Sequence, residues 1–241
     1  MSAIRDLIWD AIRQADHMLL TLCVAANLYG IALIYSATRW KVAFHSFPLK
    51  QGVAMLIGIG LYFVVSQFNI HLLMDKWRWV VLGCTLFLLL LRTPLGTEIL
   101  GNRAWLHIPG IPFNIQPAEI VKLFYTMLLA QLLTQFKDTK ELSSVPSVAK
   151  LVGVLAYFCG LIFVISSDAG SALIYVFIFL FMVWAAGLKK YWFALGIAFC
   201  GLVGFAGWHL LPEGNRWKTR IQVCFDHNFD PQGVGFQQTR S

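Results

Sequence analysis

Three stretches of this 241-residue chain combine side chains able to move protons or hold anions. The first, GNRAWLHIPGIPFNIQPAEIVK at residues 101–122, carries Arg103, Trp105, Gln116, Glu119 and Lys122. Glu119 and Lys122 are three apart and share a helix face, where they neutralise each other. Ionisable residues at membrane depth are costly and mark either function or a paired structural role; the residues alone leave both open. Pro117 suits a first helical turn and Glu119 complements the positive end of the helix dipole there. Trp105 taken alone reads as an interfacial anchor. The second stretch, SSDAGSAL at 166–173, sets Asp168 between two apolar runs. Its first reading is a helix N-cap, with Gly170 allowing a tight turn or close helix packing. The third, at 215–241, places Asp226, His227 and Asp230 downstream of Arg216, Lys218 and Arg220. Asp230 before Pro231 and Gly233 reads as a turn. An ionised aspartate there can also take a proton from a hydroxyl held against it, and the arginines can clamp a diphosphate.

The elements that must position these groups are transmembrane helices. Hydrophobic residues make up 58% of the chain and charged residues 13%, against roughly 25% charged in soluble domains; mean hydropathy is +0.68. Window hydropathy gives seven spans, at about 17–37, 50–67, 78–92, 117–135, 150–166, 169–188 and 191–211. The fold class is therefore an all-α, polytopic helical bundle in one membrane domain over residues 1–241. The third span is short, but Trp77, Trp79 and Arg92 at its ends are of the interfacial kind.

Seven crossings put the long segments 38–49, 93–116 and 212–241 on one side and the N-terminus and shorter links on the other. The positive-inside count is tied, because nine Lys and Arg fall on each side and Lys122 lies within a span. Cations held on an outer face against the usual bias fit an anionic ligand. The net charge of +7 is scattered, so anionic lipid headgroups, and not nucleic acid, are the expected partner. Five separated cysteines show neither metal-ligand spacing nor a disulfide framework, and no metal is assigned to them. No small-residue cleavage site follows the first apolar run, so the first span is expected to stay.

In their order and spacing these stretches resemble the SEDS (shape, elongation, division and sporulation) family of RodA, FtsW and SpoVE kind. Gly101, Arg103 and Trp105, then Gln116, Pro117, Glu119 and Lys122, look like its G-x-R-x-W and Q-P-S-E-x-x-K elements. Asp168 and Gly170 match its P-D-L-G-T, FDPQGVGFQQTRS resembles its D-P-x-G-x-G-Y-Q-x-x-Q-S, and IYSA at 34–37 also fits. Ala118, Ser167, Ala169, Phe236 and Arg240 depart from the family's usual serine, proline, leucine, tyrosine and glutamine.

The resemblance implies an inverting glycosyltransferase that polymerises lipid II, a disaccharide-pentapeptide on undecaprenyl diphosphate, at the outer face of the bacterial cytoplasmic membrane. That places the N-terminus inside and residues 212–241 in an extracellular loop. Asp230 matches the family's essential acidic residue, whose proposed role is to deprotonate the acceptor hydroxyl. Arg103, Trp105, Glu119, Lys122 and Asp168 would bind substrate or brace the loop beside it, with Arg216 and Arg220 as diphosphate ligands. A class B penicillin-binding transpeptidase is the implied partner; whether a divalent cation takes part is left open. Members generally have about ten spans of bilayer-crossing length, so about three are expected to be missing from this chain. Two other readings compete: a transporter of lipid-linked precursor, which would need Asp168, Glu119 and Lys122 more than Asp230, and a non-catalytic remnant.

Overall fold

The computed structural model describes residues 13, 15–40, 46–99, 102–110, 114–210 and 218. Each apolar run is helical. In chain order the elements are α1 (His17–Thr38), α2 (Phe47–Val65), a short α3 (Ile70–Asp75), α4 (Trp77–Leu89) ending in a 3-10 turn (Leu90–Arg92), strands β1 (Gly96–Ile99) and β2 (Asn102–Leu106), then α5 (Pro117–Asp138), α6 (Val145–Ser166), α7 (Ala169–Ala186) and α8 (Lys190–Leu210). Five of these helices, α1, α2, α6, α7 and α8, are long and apolar enough to cross a membrane. The α4 helix has 13 residues, and α5, though 22 long, carries Glu119, Lys122, Lys137 and Asp138.

Local chemistry explains the boundaries. Asp16 caps α1 by accepting from Leu19 N at 2.9 Å, Ser144 caps α6 by accepting from Ser147 N, and prolines open α2, α5 and α6, where their missing N–H is harmless. Gly187, at φ 89°, closes α7 in the left-handed conformation that glycine adopts without steric cost. Ser167 closes α6 at φ 54°, and Asp168 at once caps α7, so two adjacent residues turn one helix into the next.

The core lies among α4, α5, α6 and α7. Along α5 the buried residues Val121, Tyr125, Leu128, Leu129, Leu133 and Phe136 recur at helical spacing and face the other three helices. At its centre Tyr125 packs against Tyr175 with the rings tilted by 35° and their centroids 4.7 Å apart, and it meets Phe158 edge-on at 5.4 Å. The α1 and α2 helices pack on each other and bury no residue.

The segment between α4 and α5 holds a feature the hydropathy reading left as a loop. Strands β1 and β2 form an antiparallel hairpin, pairing Gly96 with Leu106 and Thr97 with Trp105. Two further backbone bonds, Leu106 N to Ile115 O at 2.7 Å and Ile115 N to Leu106 O at 2.9 Å, fasten it beside the start of α5. Gly96 is required here by space, because a Cβ at this position would lie 2.0 Å from Leu91 O. A Gly96→Ala variant is therefore expected to displace the hairpin and destabilise the protein by about 1–3 kcal/mol, read as a lowered melting temperature in detergent.

Candidate functional site

At the end of the bundle where α5 and α7 begin, a polar cluster joins two of the motif stretches. Asp168 does cap α7: its Oδ1 accepts from Ser171 N at 3.1 Å and its Oδ2 from Ser171 Oγ at 2.6 Å. The same Oδ2 accepts from Gln116 Nε2 at 3.1 Å, and Gln116 Nε2 also donates to Ser171 Oγ at 3.2 Å. A carboxylate that would merely cap a helix thus becomes a tie between α7 and the residue preceding α5. A second tie lies one turn deeper, where the buried Tyr175 hydroxyl donates to Ala118 O at 2.7 Å and Tyr125 donates to Tyr175 O at 3.3 Å. Together they fix the first turn of α5.

That turn presents Glu119 and Lys122. Lys122 Nζ stands 2.6 Å from Glu119 Oε1, with the lysine side chain 17% exposed and the glutamate 52% exposed. The carboxylate is the accessible partner, and the ammonium is drawn back towards the bundle. Pairing lets both charges sit beside an apolar core without the full cost of isolated ions.

Arg103 and Trp105 occupy β2. Arg103 Nη2 donates to Thr93 O at 2.9 Å, while its Nε is buried with no hydrogen-bond partner among the described residues. An orphaned guanidinium donor is costly in a finished structure and is suited to an anionic ligand atom. Trp105 is half-buried, and its carbonyl accepts from Thr97 Oγ1 at 3.2 Å. Neither side chain bonds to Glu119, Lys122 or Asp168 among the described residues, so the hairpin and the α5–α7 cluster are neighbours along the chain without a direct polar link. Arg92, at the foot of α4, donates to Val164 O and closes the exposed end of α6. Arg216, Arg220 and Asp230 lie outside the described residues. No group of three or more His, Cys, Asp or Glu able to hold a metal ion occurs among the described residues.

Ser171 and Tyr175 are not singled out by the sequence reading, and Arg92 enters it only as an interfacial residue. Ser171 has a legible signal, the Asp-x-x-Ser spacing of a capped helix start. Tyr175 and Arg92 have none, because their partners are backbone carbonyls about 57 and 72 residues away. Removing the Gln116 amide by Gln116→Ala is expected to cost about 1–2 kcal/mol of stability and to lower the activity proposed below, whereas Gln116→Glu would set two carboxylates together and do more damage. Thermal unfolding of the two variants checks the order.

The model for the FtsW, RodA and SpoVE family, described as a cell cycle protein, matches residues 16–241. This chain belongs to that family. Among curated members, the "Probable peptidoglycan glycosyltransferase FtsW" of Geobacter sulfurreducens is 28% identical over 240 residues, covering 95% of this chain and 61% of the relative. The protein of the same name from Pasteurella multocida is 32% identical over 244 residues, covering 94% and 57%. The chain thus spans about three fifths of the length of these relatives. Among solved structures it resembles a component of a peptidoglycan synthase complex that coordinates polymerization and crosslinking, with a TM-score of 0.72 and 26% identity over 91% of this chain and 62% of that one. It also resembles the rod shape determining protein RodA of Thermus thermophilus, with a TM-score of 0.58 and 26% identity over 76% and 58%. Family membership and five membrane-capable helices make it a multi-pass membrane protein of helical-bundle fold. Within this FtsW/RodA/SpoVE chain, the polar cluster at the start of α5 and α7 is built from the family-like motifs.

Proposed function

We propose that this chain forms part of a peptidoglycan glycosyltransferase that extends glycan strands from lipid II. The family match over residues 16–241, with relatives named as such enzymes, carries the reading. The geometry supports it. A chain that handles a lipid-linked diphosphate sugar needs cations and hydrogen-bond donors at the membrane surface, and the motif end of the bundle offers Arg103 with a spare buried donor and the Glu119–Lys122 pair.

In this reading Asp230 is the general base that takes the proton from the acceptor sugar hydroxyl as it attacks the anomeric carbon of the lipid-linked donor, and undecaprenyl diphosphate departs. Arg103, Arg216 and Arg220 meet the diphosphate, and Trp105 lies against the bound substrate. Asp168, through Gln116, holds the start of α5 so that Glu119 and Lys122 face the substrate. The N-terminus lies on the cytoplasmic side, α4 with its 3-10 turn and α5 cross the membrane with the other five helices, and residues 212–241 face outward. The partner is a class B penicillin-binding transpeptidase, consistent with the likeness to a synthase complex that polymerizes and crosslinks.

The test is to purify the full-length protein with its transpeptidase partner and supply lipid II in liposomes. Glycan strands resolved by length on a gel support the proposal. Lipid II moved across the bilayer without strand formation would replace it with transport.

A further inference from the structure

A groove at the opposite end of the bundle belongs to none of the motif stretches. It has a volume of about 640 Å³ and runs between α4 and α6 over α5. Its lining changes character along its length. At the helix ends stand Trp77, Gln135 and Lys150; further in, the walls are Val81, Leu132, Val154 and Tyr157. From Lys150 to Tyr157 is roughly 10 Å along the helix, at 1.5 Å per residue, so the groove passes from the interfacial zone well into the hydrocarbon.

No carboxylate lines it. Lys150 has no carboxylate partner among the described residues, and its ammonium lies 5.8 Å from the centroid of the Phe136 ring in the same groove. Lys76, Arg78, Lys137, Lys140, Lys189 and Lys190 lie at the helix ends on the same side, where they outnumber Asp75, Asp138 and Glu141. A cation and a carboxamide at the headgroup level, an interfacial tryptophan beside them and an apolar channel beneath make an amphiphilic mould. We propose that this groove is a binding site for an anionic phospholipid of the leaflet at that end, with its phosphate on Lys150 and Gln135 and one acyl chain along Val81, Leu132, Val154 and Tyr157.

Two observations favour a lipid over another helix as the occupant. Helices dock closely in membranes through small residues, whereas Gly153 is the only small residue among these lining groups and the rest are large. A helix laid over Lys150 would also bury an uncompensated charge, while an anionic headgroup neutralises it, as basic pockets between transmembrane helices do. The site is independent of the polymerase reading, since it shares no residue with the motif cluster.

The experiment uses the full-length protein in nanodiscs carrying phosphatidylglycerol or phosphatidylcholine with a photoactivatable acyl chain, and maps the labelled peptides. Peptides of α5 and α6 that line the groove are expected to be labelled about fivefold more by phosphatidylglycerol than by phosphatidylcholine. Lys150→Glu should remove the preference, Lys137→Glu at the same end should keep it, and Val154→Trp should block groove labelling by both lipids. Equal labelling by the two lipids that ignores Lys150→Glu overturns the proposal. So does a groove that stays unlabelled because another segment of the full-length protein covers it.

Discussion

Asp230→Ala in the full-length protein with its transpeptidase partner is expected to abolish glycan-strand formation, a loss on the order of 10²–10⁴ in rate, which is what a positioned proton acceptor contributes. Asp230→Asn should lose as much, since the amide keeps the shape and hydrogen-bonding reach but cannot take a proton at neutral pH. Lipid II binding, measured separately, should persist in both variants, because a base acts on the chemical step and the diphosphate is held elsewhere. The decisive comparison sets Asp230 against the bundle residues. If strand formation is indifferent to Asp230 while lipid movement collapses with Asp168, Glu119 or Lys122, the polymerase reading is wrong and transport takes its place.

The second large effect is expected at Lys122. Lys122→Met leaves Glu119 without its counter-ion at 2.6 Å, but because that carboxylate is 52% exposed the lost pairing should cost only about 0–1 kcal/mol. Loss of the cation should also lower strand formation at least tenfold if it meets the substrate. The reversed pair, Glu119→Lys with Lys122→Glu, separates these contributions. It restores the ion pair, but a lysine in the first turn of α5, where the helix dipole disfavours a cation, costs about 0.3–1 kcal/mol, so its stability should stay close to that of Lys122→Met. Activity should stay low, because the half-buried position now holds an anion facing an anionic substrate. Recovery of activity in the reversed variant would reduce the pair to a structural role. Melting temperature and strand yield on the same preparations give the two readouts.

Long apolar runs in sequence were enough to locate the five helices of spanning size, but not all of their starts, since the reading begins spans at 50 and 150 where prolines in the first turn let the structure begin them at Phe47 and Val145. The Glu119–Lys122 pair was equally legible, because a spacing of three within one helix is a short-range fact. Asp168 was legible only in part. Its cap on Ser171 follows from local spacing, but its bond to Gln116 joins residues 52 apart and depends on how α5 and α7 come to lie side by side.

The hairpin of β1 and β2 escaped notice for a related reason. The run GTEI and NRAWL has neither a long alternation nor a turn signal strong enough to set it apart from a loop. Its register is held instead by Leu106 pairing with Ile115 and by the absence of a side chain at Gly96 against Leu91 O.

Composition therefore marks this as a helical membrane protein, and motif order gives the resemblance to the FtsW/RodA/SpoVE family that the match over residues 16–241 bears out, because hydropathy and short spacings are properties of the chain before it folds. Folding adds the relations between helices: the Gln116–Asp168–Ser171 tie, the Tyr175 bond to Ala118 and the groove below Lys150. Each of these joins segments far apart in sequence through a side chain meeting a backbone carbonyl, a shared oxygen or an empty space, and those partners leave no mark in the order of residues.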